Sequence, residues 1–179
     1  MDHKIVVISN GISKEDCDLA MQMINEFNIN NELLDFKDNK NVKVAPTTEK
    51  VKMLLNKYSD ILCSRHAEIH NLNAEVYTTE AFLSLWQEGA SAGVHKDNHY
   101  GYEFLEYSTV IYLNDQYDGG EICFPLLGYM YKPKAGDIVL FPCSTDKYLH
   151  GVLPVRGGNR FTIAMWHTTD KTKEWILND

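Results

Sequence analysis

The stretch STVIYLNDQYDGGEICFP, residues 108–125, decides the fold. Residues 108–113, in which Thr109, Val110, Ile111 and Tyr112 are β-branched or aromatic, read as a strand. Asn114-Asp115 and Asp118-Gly119-Gly120 are turn chemistry, and residues 121–124 resume as a second strand. Outward from this unit the same texture repeats. Towards the C-terminus, Pro133-Lys134-Ala135-Gly136-Asp137 leads into a strand over 138–141, followed by strands over 151–155 and 161–166 with Gly157-Gly158-Asn159 between them. Towards the N-terminus, strands are predicted over 75–78 and 81–86, closed by Gln87-Glu88-Gly89. Short strands at this spacing predict an antiparallel sandwich or barrel, and a jelly roll fits.

Before residue 73 the periodicity is helical. Residues 4–9 read as one strand through Ile5, Val6, Val7 and Ile8. Ser13 with Asp16 makes the start of a helix, whose apolar face is Cys17, Ala20, Met21, Ile24 and Phe27. Residues 28–46 are polar and Asn-rich, so they read as loop with one short strand. A second helix starts at Thr47 or Thr48 and runs to about His70, with a stripe of Val51, Leu54, Leu55, Tyr58, Ile61 and Leu62. On it His66 and His70 stand at i, i+4 with no third ligand in view, which places them on the helix surface. His3 and His167 belong to no motif. The fold class is α+β: N-terminal helices packed on one face of a β double sheet. One domain is expected over 1–179, with 1–73 as helical support and 75–167 as the barrel core.

Composition narrows the function. Seventeen basic residues against 25 acidic ones give a net charge of −8, which argues against a broad nucleic-acid surface. The run at Ile5–Ile8 is too short for an export signal, and no stretch reaches a membrane span. Cys17, Cys63, Cys123 and Cys143 are too far apart for a zinc or redox motif and read as reduced thiols. A cytoplasmic protein with no nucleic-acid or membrane partner is expected.

The chemistry is carried by three elements. In His95-Lys96-Asp97, residues two apart on an extended segment point to one side and can grip one ion. His150, 53 residues beyond Asp97, completes two histidines and one carboxylate, the facial set of non-haem Fe(II) oxygenases, which leaves adjacent positions open. Arg160 begins a face with Thr162, Ala164 and Trp166, opposite Phe161, Ile163 and Met165. If that face turns inward, a buried guanidinium demands an anion, and a dicarboxylate supplies one.

Taken together, His95-x-Asp97, Tyr112-Leu113-Asn114, Asp118-Gly119-Gly120-Glu121, Phe124-Pro125, Pro133-Lys134-Ala135-Gly136-Asp137, Phe141, His150, Pro154-Val155 and Gly158-Asn159-Arg160 resemble the 2-oxoglutarate/Fe(II)-dependent dioxygenases, and within them the prolyl 4-hydroxylase family. The resemblance covers about residues 82–167. It implies a double-stranded β-helix holding Fe(II) through His95, Asp97 and His150. It further implies 2-oxoglutarate as co-substrate, its 5-carboxylate met by Arg160, Tyr112 and Thr162, and ascorbate as an accessory. The implied reaction uses dioxygen to hydroxylate a prolyl residue in a peptide or protein, with release of succinate and CO2. Position 160 is Arg where many members have Lys, and Trp86 stands where the family often has a Tyr beside the co-substrate. Trp86 and Trp166 are candidates for the pocket mouth, and Tyr100 and Tyr102 for a substrate loop over 98–106. The alternatives are hydroxylation of a free amino acid or other small molecule, and a catalytically inactive cupin-like binding domain. Nucleic-acid demethylation is disfavoured, because that branch places a second arginine at the position held here by Trp166.

Overall fold

A computed structural model describes residues 4–37 and 39–175. In chain order its elements are β1 (Val6–Ile8), α1 (Lys14–Ile29), β2 (Leu34–Phe36), β3 (Asn39–Val44), α2 (Glu49–His70), β4 (Tyr77–Trp86), β5 (Ala92–His95), β6 (Tyr107–Tyr112), β7 (Asp118–Gly119), β8 (Ile122–Phe124), β9 (Tyr129–Tyr131), β10 (Ile138–Pro142), β11 (His150–Val152), β12 (Val155–Arg156) and β13 (Arg160–Thr168). A major sheet runs β1-β10-β6-β13-β4-β3-β2 and a minor sheet β5-β11-β8-β9, with β7 and β12 paired beside them. The ladders within both sheets are antiparallel. This is the double-stranded β-helix.

Ser13 caps α1 by accepting from the Asp16 amide at 3.1 Å, and Thr48 caps α2 through the Val51 amide. Both helices lay their apolar stripes on one face of the major sheet, except that Ile61, expected in the α2 stripe, points away from it and is 51% exposed. There Cys17, Ala20, Ile24, Leu54, Leu55 and Leu62 meet Leu83, Leu85, Ile111, Ile163 and Met165. Full burial contributes about 1.5–3 kcal/mol per aliphatic side chain, so this layer anchors the sheet from behind. The other face of the major sheet turns to the minor sheet, and between them Tyr112, Ile122, Phe124, Val139 and Phe141 form a second core. No helix among the described residues is long and apolar enough to cross a membrane.

The structure corrects the sequence reading in several places. Residues 28–46 hold a β2–β3 hairpin rather than one short strand. β3 joins β4 with Val42 opposite Trp86, so tertiary pairing overrides a polar, Asn-rich composition. The strands expected over 75–78 and 81–86 are a single β4. Thr79 is the extra residue of a bulge opposite Trp166 and His167, which reverses the side-chain alternation and sends Thr78 to the helix side. The strand expected over 151–155 breaks after Val152 and resumes as β12. β5, β7 and β9 went unread because they are two to four residues long.

His66 and His70 are not on the helix surface: their relative exposures are 0% and 7%. They lie on the sheet-facing side of α2, where His66 Nε2 is 2.8 Å from the Thr109 hydroxyl and Thr109 is 3.0 Å from His167 Nε2. His167, also fully buried, reaches the Thr78 hydroxyl at 3.2 Å and the Cys63 thiol at 3.7 Å. His3 lies outside the described residues. Burial pushes all three imidazoles towards neutrality: His70 falls to about 4, His167 to about 3, and His66 further still. Below the unfolded value of 6.5 the unfolded chain takes up protons that the folded chain refuses. Stability is therefore complete above about pH 6.5 and falls by about 1.4 kcal/mol per pH unit per histidine below it. Thermal melts should show Tm level from pH 7 to 8 and dropping steeply from pH 6 to 4.5. A flat profile across that range would contradict the burial of this cluster.

Candidate active site

Strand β13 sets the axis of the site. Arg160, Thr162, Ala164 and Trp166 on its inner face all line one cavity of about 160 Å³ between the two sheets. Across the cavity, β11 begins at His150 and β5 ends at His95, and the ladder places these two residues directly opposite one another. Their rings are 4.5 Å apart, and Asp97 follows two residues after His95. The Asp97 carboxylate lies 3.5 Å from His95 Nε2 through Oδ1 and 3.6 Å from His150 Nε2 through Oδ2. One donor atom from each residue falls within 4.8 Å of the others.

The second ring nitrogens fix the tautomers. His95 Nδ1 is 2.8 Å from the Gly93 carbonyl oxygen, and His150 Nδ1 is 3.1 Å from that of Tyr148. A carbonyl can only accept, so each Nδ1 carries the hydrogen and each neutral ring turns its Nε2 lone pair to the shared point. Burial lowers the His150 pKa and favours that neutral form; at His95 the hydrogen bond to Asp97 pulls the other way and raises it. For Asp97 burial alone would raise the pKa. Its contacts with His95, His150 and the Ser108 hydroxyl outweigh that and hold it at about 2. Ser108 Oγ donates to Asp97 Oδ2 at 2.6 Å, fixing the carboxylate plane. Two imidazoles and one anionic carboxylate suit a divalent first-row ion.

At the other end of the cavity Arg160 is only 2% exposed. Its guanidinium lies 4.6 Å from the Trp86 ring centre and 5.1 Å from that of Tyr112. Arg160 Nε and Nη1, and the hydroxyls of Tyr112 and Tyr117, are buried without hydrogen-bond partners among the described residues. A buried guanidinium with free donors is costly unless an anion meets it, so the residues present fit a carboxylate there. The Thr162 hydroxyl is 2.8 Å from Ser84 Oγ, which also accepts from Trp86 Nε1 at 3.2 Å. That network holds the Trp86 ring beside Arg160.

The structure thus brings His95, Asp97, His150, Arg160, Thr162, Trp86 and Trp166 to one cavity, with Tyr112 stacked behind the guanidinium. Tyr102 lines an adjoining cavity with Lys37, Glu80 and His99, whereas Tyr100 lines neither and is 93% exposed. The loop after Asp97 is tied at its base by Asn98, whose amide donates to the carbonyls of Glu103 and Leu105. Ser108, Ser84, Tyr117, Phe36 and Lys37 were missed in the sequence. Ser108 was within reach, since alternation from Tyr112 turns it inward. Phe36 was not, because its segment read as loop. It begins a row of rings, with Phe36–Phe82 and Phe82–Trp166 centroids each 5.3 Å apart, along the cavity wall.

A sequence model of the 2OG-Fe(II) oxygenase superfamily matches residues 81–168. Mouse (Mus musculus) prolyl 3-hydroxylase 2 is 38% identical over 74 residues, which is 38% of this chain and 10% of that protein. The matched segment therefore spans about a tenth of the length of the curated relatives. Among solved structures, a Pseudomonas putida prolyl-4-hydroxylase superposes with a TM-score of 0.76 at 19% identity, covering 94% of both chains. The viral collagen prolyl hydroxylase of Paramecium Bursaria Chlorella virus-1, solved as its 2OG complex, gives 0.71 at 18% identity over 94% of this chain and 97% of that one. These likenesses establish the fold. The sequence match over residues 81–168, just under half of the chain, and the donor arrangement agree with it and make this segment similar to the 2OG-Fe(II) oxygenase superfamily.

Proposed function

We propose that this chain is a non-haem Fe(II)- and 2-oxoglutarate-dependent dioxygenase that hydroxylates prolyl residues in a peptide or protein, releasing succinate and CO2. The observation that carries the proposal is a single cavity with two imidazole lone pairs and a carboxylate converging at one end and a buried, unsatisfied guanidinium at the other. His95, Asp97 and His150 would hold Fe(II). Arg160, with Tyr112 and Thr162, would receive the 5-carboxylate of 2-oxoglutarate. When bound, metal and co-substrate supply the oxidising power that places one oxygen atom of dioxygen on an unactivated C–H bond. The chain itself keeps Asp97 ionised, aims both Nε2 atoms at the shared point and lines much of the cavity with apolar side chains.

The row Phe36, Phe82 and Trp166 supports a proline ring as the group presented, since flat aromatic faces pack against its apolar edge. The mouse relative is a prolyl 3-hydroxylase and the bacterial neighbour a prolyl-4-hydroxylase, so both carbons are candidates. A second reading, a free amino acid as substrate, draws on Lys37 and Glu80, oppositely charged and lining the same side cavity. Peptides blocked at both ends, compared with free proline, separate the two. Ascorbate as reductant and a cytoplasmic location complete the proposal, the latter supported by four unpaired cysteines. Omitting ascorbate should shorten the linear phase of turnover.

The first test is anaerobic visible absorption on adding Fe(II) and then 2-oxoglutarate. A metal-to-ligand charge-transfer band in the wild type and none in His150→Ala is the expected result; no band in either, with the fold intact, would refute the proposal. Ser108→Ala leaves the ligands in place but frees the carboxylate, so the Kd for Fe(II) should rise about 10- to 100-fold. An unchanged value in an anaerobic titration would remove Ser108 from the site.

A further inference from the structure

Tyr117 stands outside every motif, in the turn between β6 and β7, yet it is 5% exposed and its hydroxyl has no hydrogen-bond partner among the described residues. Its ring closes on Arg160 at Gly120: a Cβ built there would meet Tyr117 Cε2 at 2.8 Å and Arg160 Cδ at 3.3 Å. Gly120 also has φ +66°, so the chain places a residue without a side chain where the phenol and the guanidinium stem come together. On its other side Tyr117 is pinned by Lys132, whose ammonium lies 4.6 Å from the ring centre and donates to the Tyr117 carbonyl at 3.1 Å. A residue held this firmly carries its hydroxyl at a fixed place. Burial pushes that phenol up to about 12, with Arg160 pulling the other way, so near neutral pH it keeps its proton. It can donate.

Position 86 cannot. The indole of Trp86 stacks on the guanidinium, and its one N–H is spent on Ser84. We propose that Tyr117 supplies the hydroxyl donor that position 86 lacks, so that Arg160, Tyr112 and Tyr117 together hold the distal carboxylate of the co-substrate. The proposal rests on the co-substrate reading above and adds to it a positioning residue from a turn rather than from the sheet. Three buried groups with unsatisfied polar atoms then share one acceptor-rich ligand: two tyrosine hydroxyls and a guanidinium donate, and a carboxylate offers about four lone-pair sites.

The test compares two ligands in the Fe(II)-loaded protein without oxygen. 2-Oxoglutarate and pyruvate share the 2-oxo acid that chelates metal, but pyruvate has no distal carboxylate. Tyr117→Phe keeps the ring, the Lys132 contact and the packing against Gly120. Its Kd for 2-oxoglutarate should rise about 10- to 100-fold, the loss expected for a hydrogen bond to a charged group. Its Kd for pyruvate and its Tm should stay as in the wild type. An unchanged Kd for 2-oxoglutarate overturns the proposal, and so does an equal loss for both ligands, which would mark a structural role. The underlying reading fails by a different sign: a wild type that binds 2-oxoglutarate no better than pyruvate. That result would overturn the Tyr117 assignment with it.

Discussion

Asp97→Ala and His150→Ala should each abolish Fe(II) binding and turnover together. The carboxylate sits between two imidazoles that present their lone pairs only because Gly93 and Tyr148 occupy the opposite nitrogens. Removing one of three ligands is a larger change than removing a residue that merely orients one, so the affinity loss should exceed the roughly 100-fold upper figure for such supporting groups. Asp97→Ala also leaves the Ser108 hydroxyl without its acceptor and the two imidazoles without their counter-charge. The check is anaerobic Fe(II) titration alongside near-ultraviolet circular dichroism. A folded Asp97→Ala protein that still binds Fe(II) within tenfold of the wild type would remove Asp97 from the ligand set.

Arg160→Ala should behave in the opposite way, sparing the metal and losing the co-substrate. The guanidinium is enclosed between the Trp86 and Tyr112 rings and far less solvated than a surface arginine. Truncating one partner of a buried charge pair costs about 2–5 kcal/mol, which corresponds to a rise in Kd for 2-oxoglutarate of roughly 30- to several-thousand-fold. Arg160→Lys should recover part of this, since it restores the charge without the fork. Calorimetric titration of the Fe(II)-loaded variants measures both. Wild-type affinity in Arg160→Ala would sink the role assigned to it.

What could be read from sequence follows a physical line. Alternation along 160–166 correctly separated the cavity face from the Phe161, Ile163 and Met165 face, because β13 lies between β4 and β6 and both sides of it are filled. The meeting of His95 and His150 was legible only as a chemical type. That they sit opposite each other is a property of β5, a four-residue strand no periodicity reveals. The hairpin carrying Phe36 and Lys37 was hidden by polar composition, its strand character coming from β4 rather than from its own residues. His66 and His70 misled for a related reason. Helical spacing locates a face but not what that face meets, and here it meets Thr109, Tyr107 and His167. Tyr117 lay in a turn, where burial has no sequence signature.

Strand β13 is also a ruler. At about 3.3 Å per residue, its inward positions 160, 162, 164 and 166 are rungs nearly 7 Å apart, and the span from Arg160 to Trp166 is roughly 20 Å. Both neighbouring strands lock its register from 162 to 166, so the rungs cannot slide. Moving a cation by one rung would shift it by nearly 7 Å, the length of several carbon–carbon bonds, so the strand offers only coarse settings and Arg160 occupies the first of them. The bulge at Thr79 falls beyond the last rung, so an insertion absorbed there re-aims the mouth and leaves the scale unchanged. The arginine end and the tryptophan end of the cavity are in this sense positions on one strand, and a change at one need not reset the other.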